Sequence, residues 1–191
     1  MPTSPETSKV EIYSPAARRF HWWTVALVAI QVPLGFYMAY RGNDLNIWDG
    51  LTNALYSSHK LLGLIILVLV IARLGYRIAH GSPRPEPTIT TWQRELGALS
   101  HEWIYLLLIV TPILGWLGAS LYPALDIFGM FNLPSIAAEN QEMSTTVFLF
   151  HVAAAIGLVA LIGMHIGAAL YHRLVRRDQV LSRMLPGPDQ A

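Results

Sequence analysis

The chain has no cysteine at all. Disulfides, thiolate ligation, iron–sulfur clusters and haem attached covalently through a Cys-x-x-Cys-His motif are all excluded. Charge is the second shortage. Only 13% of the 191 residues are Asp, Glu, Lys or Arg, against about a quarter in an ordinary soluble domain. What charge there is avoids four stretches: residues 22–40, 61–72 and 103–125 carry none, and residues 143–171 hold only His151 and His165 as ionisable groups besides the terminal Tyr171. With residues 57–60 and 73–79 extending the second, each stretch is long enough to cross a bilayer as a helix. The fold class expected is all-α, an integral membrane four-helix bundle. Residues 1–15 read as a disordered lead without the apolar core of a signal peptide, so the first span is expected to persist in the mature protein. Residues 16–176 form the membrane domain and 177–191 a cytoplasmic tail.

Basic residues are sharply polarised. Lys9, Arg18 and Arg19 precede or open the first span, Arg73, Arg77, Arg84 and Arg94 flank the second connection, and Arg173, Arg176, Arg177 and Arg183 follow the fourth span. These are eleven of the thirteen, leaving Arg41 and Lys60 for the other side. The positive-inside rule places both termini and the second connection in the cytoplasm. Such a face meets anionic membrane lipid, so nucleic acid is not needed to explain it. Residues 81–87, Gly-Ser-Pro-Arg-Pro-Glu-Pro, read as a stiff extended link, and residues 90–100 as a short amphipathic or interfacial piece. The long acidic segment 122–142 suffices to cap an outer cavity. No internal repeat stands out.

Within this topology the histidines acquire heights. His151 and His165 are fourteen residues apart in the fourth span, which leaves them roughly 40° apart on one helix face and about 21 Å apart along it. His59 opens the second span at the outer side, and His21 opens the first at the cytoplasmic side. Depth therefore pairs His59 with His151 and His21 with His165. Ionisable residues inside a span are costly and commonly functional. Two imidazoles at each of two depths suit the axial positions of two stacked b-type haems between the helices. Zinc suits them less, because two histidines per level without nearby Cys, Asp or Glu make a poor tetrahedral site.

Other residues fall into supporting places. Gly35 lies fourteen residues after His21, on the same face at the outer pair's height, where a wide macrocycle needs room. Arg73 stands in the same relation to His59 and reaches the inner level, where a guanidinium suits a haem propionate. Lys60, beside His59, is the corresponding candidate at the outer level. His101 opens the third span next to Glu102 and is a candidate quinone or proton site, with a substitute role as ligand to the inner haem in place of His21 as the alternative. His80 and His172 read as interfacial residues.

Arg19-Phe20-His21-Trp22, Ser58-His59-Lys60-Leu61-Leu62-Gly63, Leu74-Gly75-Tyr76-Arg77 with Ser82-Pro83-Arg84-Pro85, Ser100-His101-Glu102-Trp103-Ile104-Tyr105 and the tail Leu181-Ser182-Arg183-Met184-Leu185-Pro186 resemble the bacterial cytochrome b561 family. That superfamily includes the cytochrome b subunits of nickel–iron hydrogenases and formate dehydrogenases. The resemblance implies haem ligands from spans one, two and twice four, which are His21, His59, His151 and His165 here. It also implies two haem b, the inner membrane of a Gram-negative bacterium, and electron exchange with ubiquinone as donor or acceptor. One small branch is described as a superoxide oxidase passing electrons to ubiquinone. An anchor subunit serving a redox partner protein is the alternative, and a lone monomer or homodimer would speak against it. The outer segments carry Arg41 and Lys60 against Asp44, Asp49, Asp126, Glu139 and Glu142, a sign that repels an anion.

Overall fold

The computed structural model describes residues 11–185. Four long helices form an up-down bundle: α1 (Pro15–Ala39), α2 (Gly50–His80), α3 (Thr91–Leu121) and α4 (Gln141–Tyr171). All four are long and apolar enough to cross a membrane. At 31 residues each, α2, α3 and α4 extend about 46 Å, well beyond a hydrocarbon core of about 30 Å. Both described chain ends and the α2–α3 link lie at one end of the bundle, here the terminal end. The α1–α2 and α3–α4 connections lie at the other, here the capped end.

Polar side chains start each helix by taking up amide groups that helix geometry leaves unpaired. Ser14 accepts from the Ala17 amide ahead of Pro15, and Asn140 accepts from Met143 at 3.0 Å. Asp49 accepts from the Thr52 amide at 2.8 Å, and that bond holds its carboxyl below the usual carboxylate range. Gly81 ends α2 at φ +69°, a conformation open to glycine.

Residues 91–100 are not a separate interfacial piece. They are the first turns of α3, which runs unbroken from Thr91. The Gln93 carboxamide oxygen accepts from the Thr90 amide and hydroxyl at 3.2 and 2.9 Å, and nothing downstream breaks the helix until the bundle is reached. Residues 81–86 of the connection carry neither helix nor strand, and residues 87–88 form a turn. Residues 1–10, most of the expected N-terminal lead, lie outside the described residues.

The α3–α4 connection folds over the capped end around a two-stranded hairpin, Asp126–Ile127 with Phe131–Asn132. Ile127 is fully buried. Lys60 donates to the Ala124 carbonyl at 2.9 Å and also to that of Asp126. The Ser57 hydroxyl accepts from the Phe128 amide at 3.0 Å.

Adjacent helices pack in sequence order, α1 on α2, α2 on α3 and α3 on α4, while α4 stands off from α1 and α2. The buried centre is small: Ile66 and Val70 of α2, Leu108 of α3 and Leu158 of α4, with Leu27 and Val28 of α1 packed against them. Large side chains point outward instead, among them Ile30, Phe36, Val68, Ile71, Leu149, Phe150 and Met164. That distribution fits lipid as the surrounding solvent.

Candidate functional site

Four imidazoles meet across the gap between α4 and the α1–α2 pair. At the capped end, the His59 and His151 ring centroids are 6.1 Å apart with planes at 84°. At the terminal end, those of His21 and His165 are 6.4 Å apart at 67°. The depth pairing read from sequence is the pairing found. Two imidazoles placed trans on one iron, with iron–nitrogen bonds of about 2 Å, hold their centroids roughly 6 Å apart. Both pairs fit that spacing. Among the described residues no cluster of three or more His, Cys, Asp or Glu is arranged to hold a metal ion.

The capped-end pair is built twice over by the same device. A Cβ added to Gly35 of α1 would meet His59 Cε1 at 2.9 Å, and one added to Gly115 of α3 would meet His151 Cε1 at 3.0 Å. Each glycine lets an imidazole from the next helix lie against backbone. One turn before each glycine, a polar residue holds the histidine. The Gln31 carboxamide donates to the His59 carbonyl at 2.9 Å. The His151 ring donates from Nδ1 to the Thr111 carbonyl at 2.8 Å. A proton on Nδ1 leaves Nε2 as the nitrogen with a free lone pair, the form a metal requires.

Gly35 thus faces His59 itself. Gly115, Thr111 and Gln31 were not picked out from sequence. The available signal was a repeat: His101 precedes Gly115 by fourteen residues, as His21 precedes Gly35, and Arg73 follows His59 as His165 follows His151. Helices α1–α2 and α3–α4 are therefore equivalent in where these residues fall. Gly63 meets Gln31 at 3.4 Å and Gly157 meets Leu107 at 3.6 Å, while Gly163 and Gly167 face open space.

The terminal end is more heavily charged. Arg73 Nη2 lies 3.1 Å from His21 Nδ1, and since a guanidinium only donates, this nitrogen accepts. The Arg73 and Arg77 guanidinium groups stand 5.2 and 5.6 Å from the Tyr105 ring centroid, within cation–π reach. His101 joins the cluster, its ring 5.2 Å from that of His165. His101 is therefore nearer to His165 than His21 is. Lys60 spends its ammonium on the hairpin carbonyls rather than facing a site beside His59. Of the remaining histidines, His80 stacks on Tyr76 at 4.1 Å and His172 contacts Asp178 at 2.5 Å.

Between the two levels lies the apolar layer of Ile66, Val70, Leu108 and Leu158. Two polar stations separated by a dry layer, and about 21 Å apart along α4, suit single-electron transfer better than passage of an ion.

A family model of prokaryotic cytochrome b561 matches residues 12–187. Cytochrome b561 homolog 2 of Escherichia coli (strain K12) is 27% identical over 180 residues, covering 94% of each chain. Cytochrome b561 homolog 1 of the same strain is 27% identical over 183 residues, 94% of this chain and 96% of the relative. A protein of Yersinia pestis named probable superoxide oxidase CybB is 33% identical over 134 residues, 67% of this chain and 73% of that one.

Proposed function

This chain belongs to the prokaryotic cytochrome b561 family, a family of haem-binding electron-transport proteins, and on that premise we propose that it is a diheme b-type cytochrome exchanging electrons with the quinone pool. The observation that carries this reading is the pair of imidazole–imidazole spacings, 6.1 and 6.4 Å, set at two depths of one membrane bundle. Haem, when bound, supplies a one-electron iron couple.

The chain's own residues do the rest. His59 and His151 would hold the capped-end iron, the Thr111 carbonyl fixing the His151 tautomer. His21 and His165 would hold the terminal-end iron. For His21 to serve through Nε2, the Arg73 guanidinium would have to leave Nδ1, and a haem propionate would offer it the carboxylate it prefers. The buried apolar layer keeps water from the path between the levels. At the terminal end, His101 stands beside His165 and is the side chain we assign to a quinone carbonyl that takes up protons with electrons. By its basic face this end lies in the cytoplasm of a bacterial inner membrane.

Superoxide is the substrate that the Yersinia relative's name brings forward. The balanced reaction takes two superoxide ions and two protons with one quinone, giving two dioxygen and one quinol. Capped-end electrostatics weigh against it here. Arg41 is already paired with Asp49 at 2.7 Å and Lys60 with carbonyls, and these two cations face five acidic groups at this end. Purified oxidised protein is therefore expected to be reduced rapidly by ubiquinol, read at the haem α-band, and only slowly by a superoxide-generating system. Bands that neither ubiquinol reduces nor ubiquinone reoxidises contradict the quinone assignment. Fast reduction by superoxide that ubiquinone then reverses makes the protein a superoxide oxidase.

A second reading, an anchor subunit taking electrons from a dehydrogenase or hydrogenase, rests on the hairpin tip at the capped end. Phe128, Met130 and Phe131 are all exposed there, Met130 at 81%. Co-isolation of a redox subunit with the native protein favours this reading, and a lone monomer or homodimer counts against it.

A further inference from the structure

The C-terminal segment after α4 crosses the terminal end and fastens the helix turn that carries His21. Arg183 organises this crossing. It is only 6% exposed, and its guanidinium donates from Nε to the Glu11 carbonyl and from Nη2 to the Arg84 carbonyl, each at 2.6 Å. It also stands 5.8 Å from the Tyr13 ring centroid, and its own carbonyl accepts from the Tyr13 amide at 3.3 Å. One side chain thus joins the residues before α1, the α2–α3 link and the tail. The next two carbonyls reach α1 itself. Met184 accepts from the Trp22 indole at 2.8 Å and Leu185 from Arg18 at 3.1 Å. Trp22 in turn lies edge-on to His21, with centroids 5.3 Å apart. Burying a guanidinium among carbonyls is costly unless each donor has an acceptor, so this arrangement specifies one position of the tail.

We propose that residues 181–185 form a positioning strap for His21, acting through Arg183, Trp22 and Arg18, and so set the environment of the terminal-end imidazole pair alone. The inference rests on the diheme reading for its consequence. It rests on the hydrogen bonds for its cause. The capped-end pair is held by Gly35, Gly115, Gln31 and Thr111, none of which the strap touches.

The test uses the full chain in detergent, Arg183→Ala, a chain ended after Val180, and the milder Trp22→Phe, which removes only the indole donor. Two readouts are taken: amide hydrogen exchange over residues 15–25, and the low-spin haem signals in electron paramagnetic resonance. The strap predicts at least a tenfold faster exchange in that segment for the first two variants. It also predicts a shift or loss of the one haem signal that His21→Ala abolishes, with the other signal unchanged, and a smaller shift of the same signal in Trp22→Phe. Unchanged exchange overturns the strap, and so does faster exchange with both haem signals unmoved. Loss of both signals together gives the tail a general folding role instead and also overturns it. Fewer than two low-spin signals in the unaltered chain overturns the diheme reading, a result distinguishable from the others because it precedes any substitution.

Discussion

On the diheme reading, replacing His151 by alanine is expected to lower the haem content from two per chain to one. His151 is one of two imidazoles at the capped end, and its partner His59 lies across the gap at 6.1 Å. With one of its two imidazoles removed, and no covalent attachment available in a chain without cysteine, this level is expected to lose its haem. The surviving haem is expected to be low-spin and to keep its α-band, because His21 and His165 belong to the other level. His165→Ala should show the mirror result, losing the terminal-end signal and keeping the capped-end one. His172→Ala is the matched control. Its ring contacts Asp178 and stands outside both pairs, so haem content should not change. Haem-to-protein ratio by pyridine haemochromogen, with electron paramagnetic resonance to assign the survivor, decides the matter. Equal loss of both haems from His151→Ala sinks the paired-depth arrangement.

The second large effect comes from a residue that binds nothing. Gly35→Val is expected to bring the haem ratio down from two to about one by pushing His59 out of line. Even a methyl group at this position would meet the ring at 2.9 Å, and valine adds two carbons more. Overpacking of this sort costs about 1–3 kcal/mol where neighbours can yield, and an imidazole tied to iron has little freedom to yield. Gly35→Ala should keep both haems but shift the capped-end low-spin signal, and Gly115→Ala should do the same through His151. Gly75→Val, where an added Cβ meets nothing within 4 Å, should leave spectra and haem content unaltered. If Gly35→Val binds two haems with unshifted signals, the close approach has no part in holding His59.

These expectations differ in how far the sequence alone supports them. The four spans and the depth pairing were legible because helical periodicity and antiparallel connectivity together fix height and face. Fourteen residues bring His165 under His151 whatever the loops do. The same spacing put Gly35 at the level of His59, whose ring lies against it, and Arg73 at the level of His21, which it contacts at 3.1 Å. Gly115 is not evident in the sequence because its marker, His101, reads as a separate residue rather than as the counterpart of His21. Lys60 shows a different limit. Its place beside His59 was plain, yet its ammonium goes to Ala124 and Asp126, carbonyls presented only once the hairpin folds back over the capped end. The strap was the least legible of all. Its bonds join Trp22 to Met184 and Glu11 to Arg183, pairs at opposite ends of the chain, and their acceptors are backbone atoms that carry no sequence signature.

Function follows from the same division. An arrangement built only to stabilise a bundle would fill the gap beside α4 with leucine and close it. This chain instead spends small residues at Gly35 and Gly115, and a designated carbonyl at Thr111, on holding imidazoles apart at a fixed distance. Buried polar groups of this kind cost stability unless they are satisfied, so the imidazoles held this way at the capped end argue for a cofactor there.

The most direct test is the haem-to-chain ratio of the unaltered protein, purified from membranes grown with ample haem and measured against protein by amino-acid analysis. The account predicts two haem b per chain, both low-spin with two imidazole ligands. A ratio of one or less, or a stable high-spin haem, would contradict it.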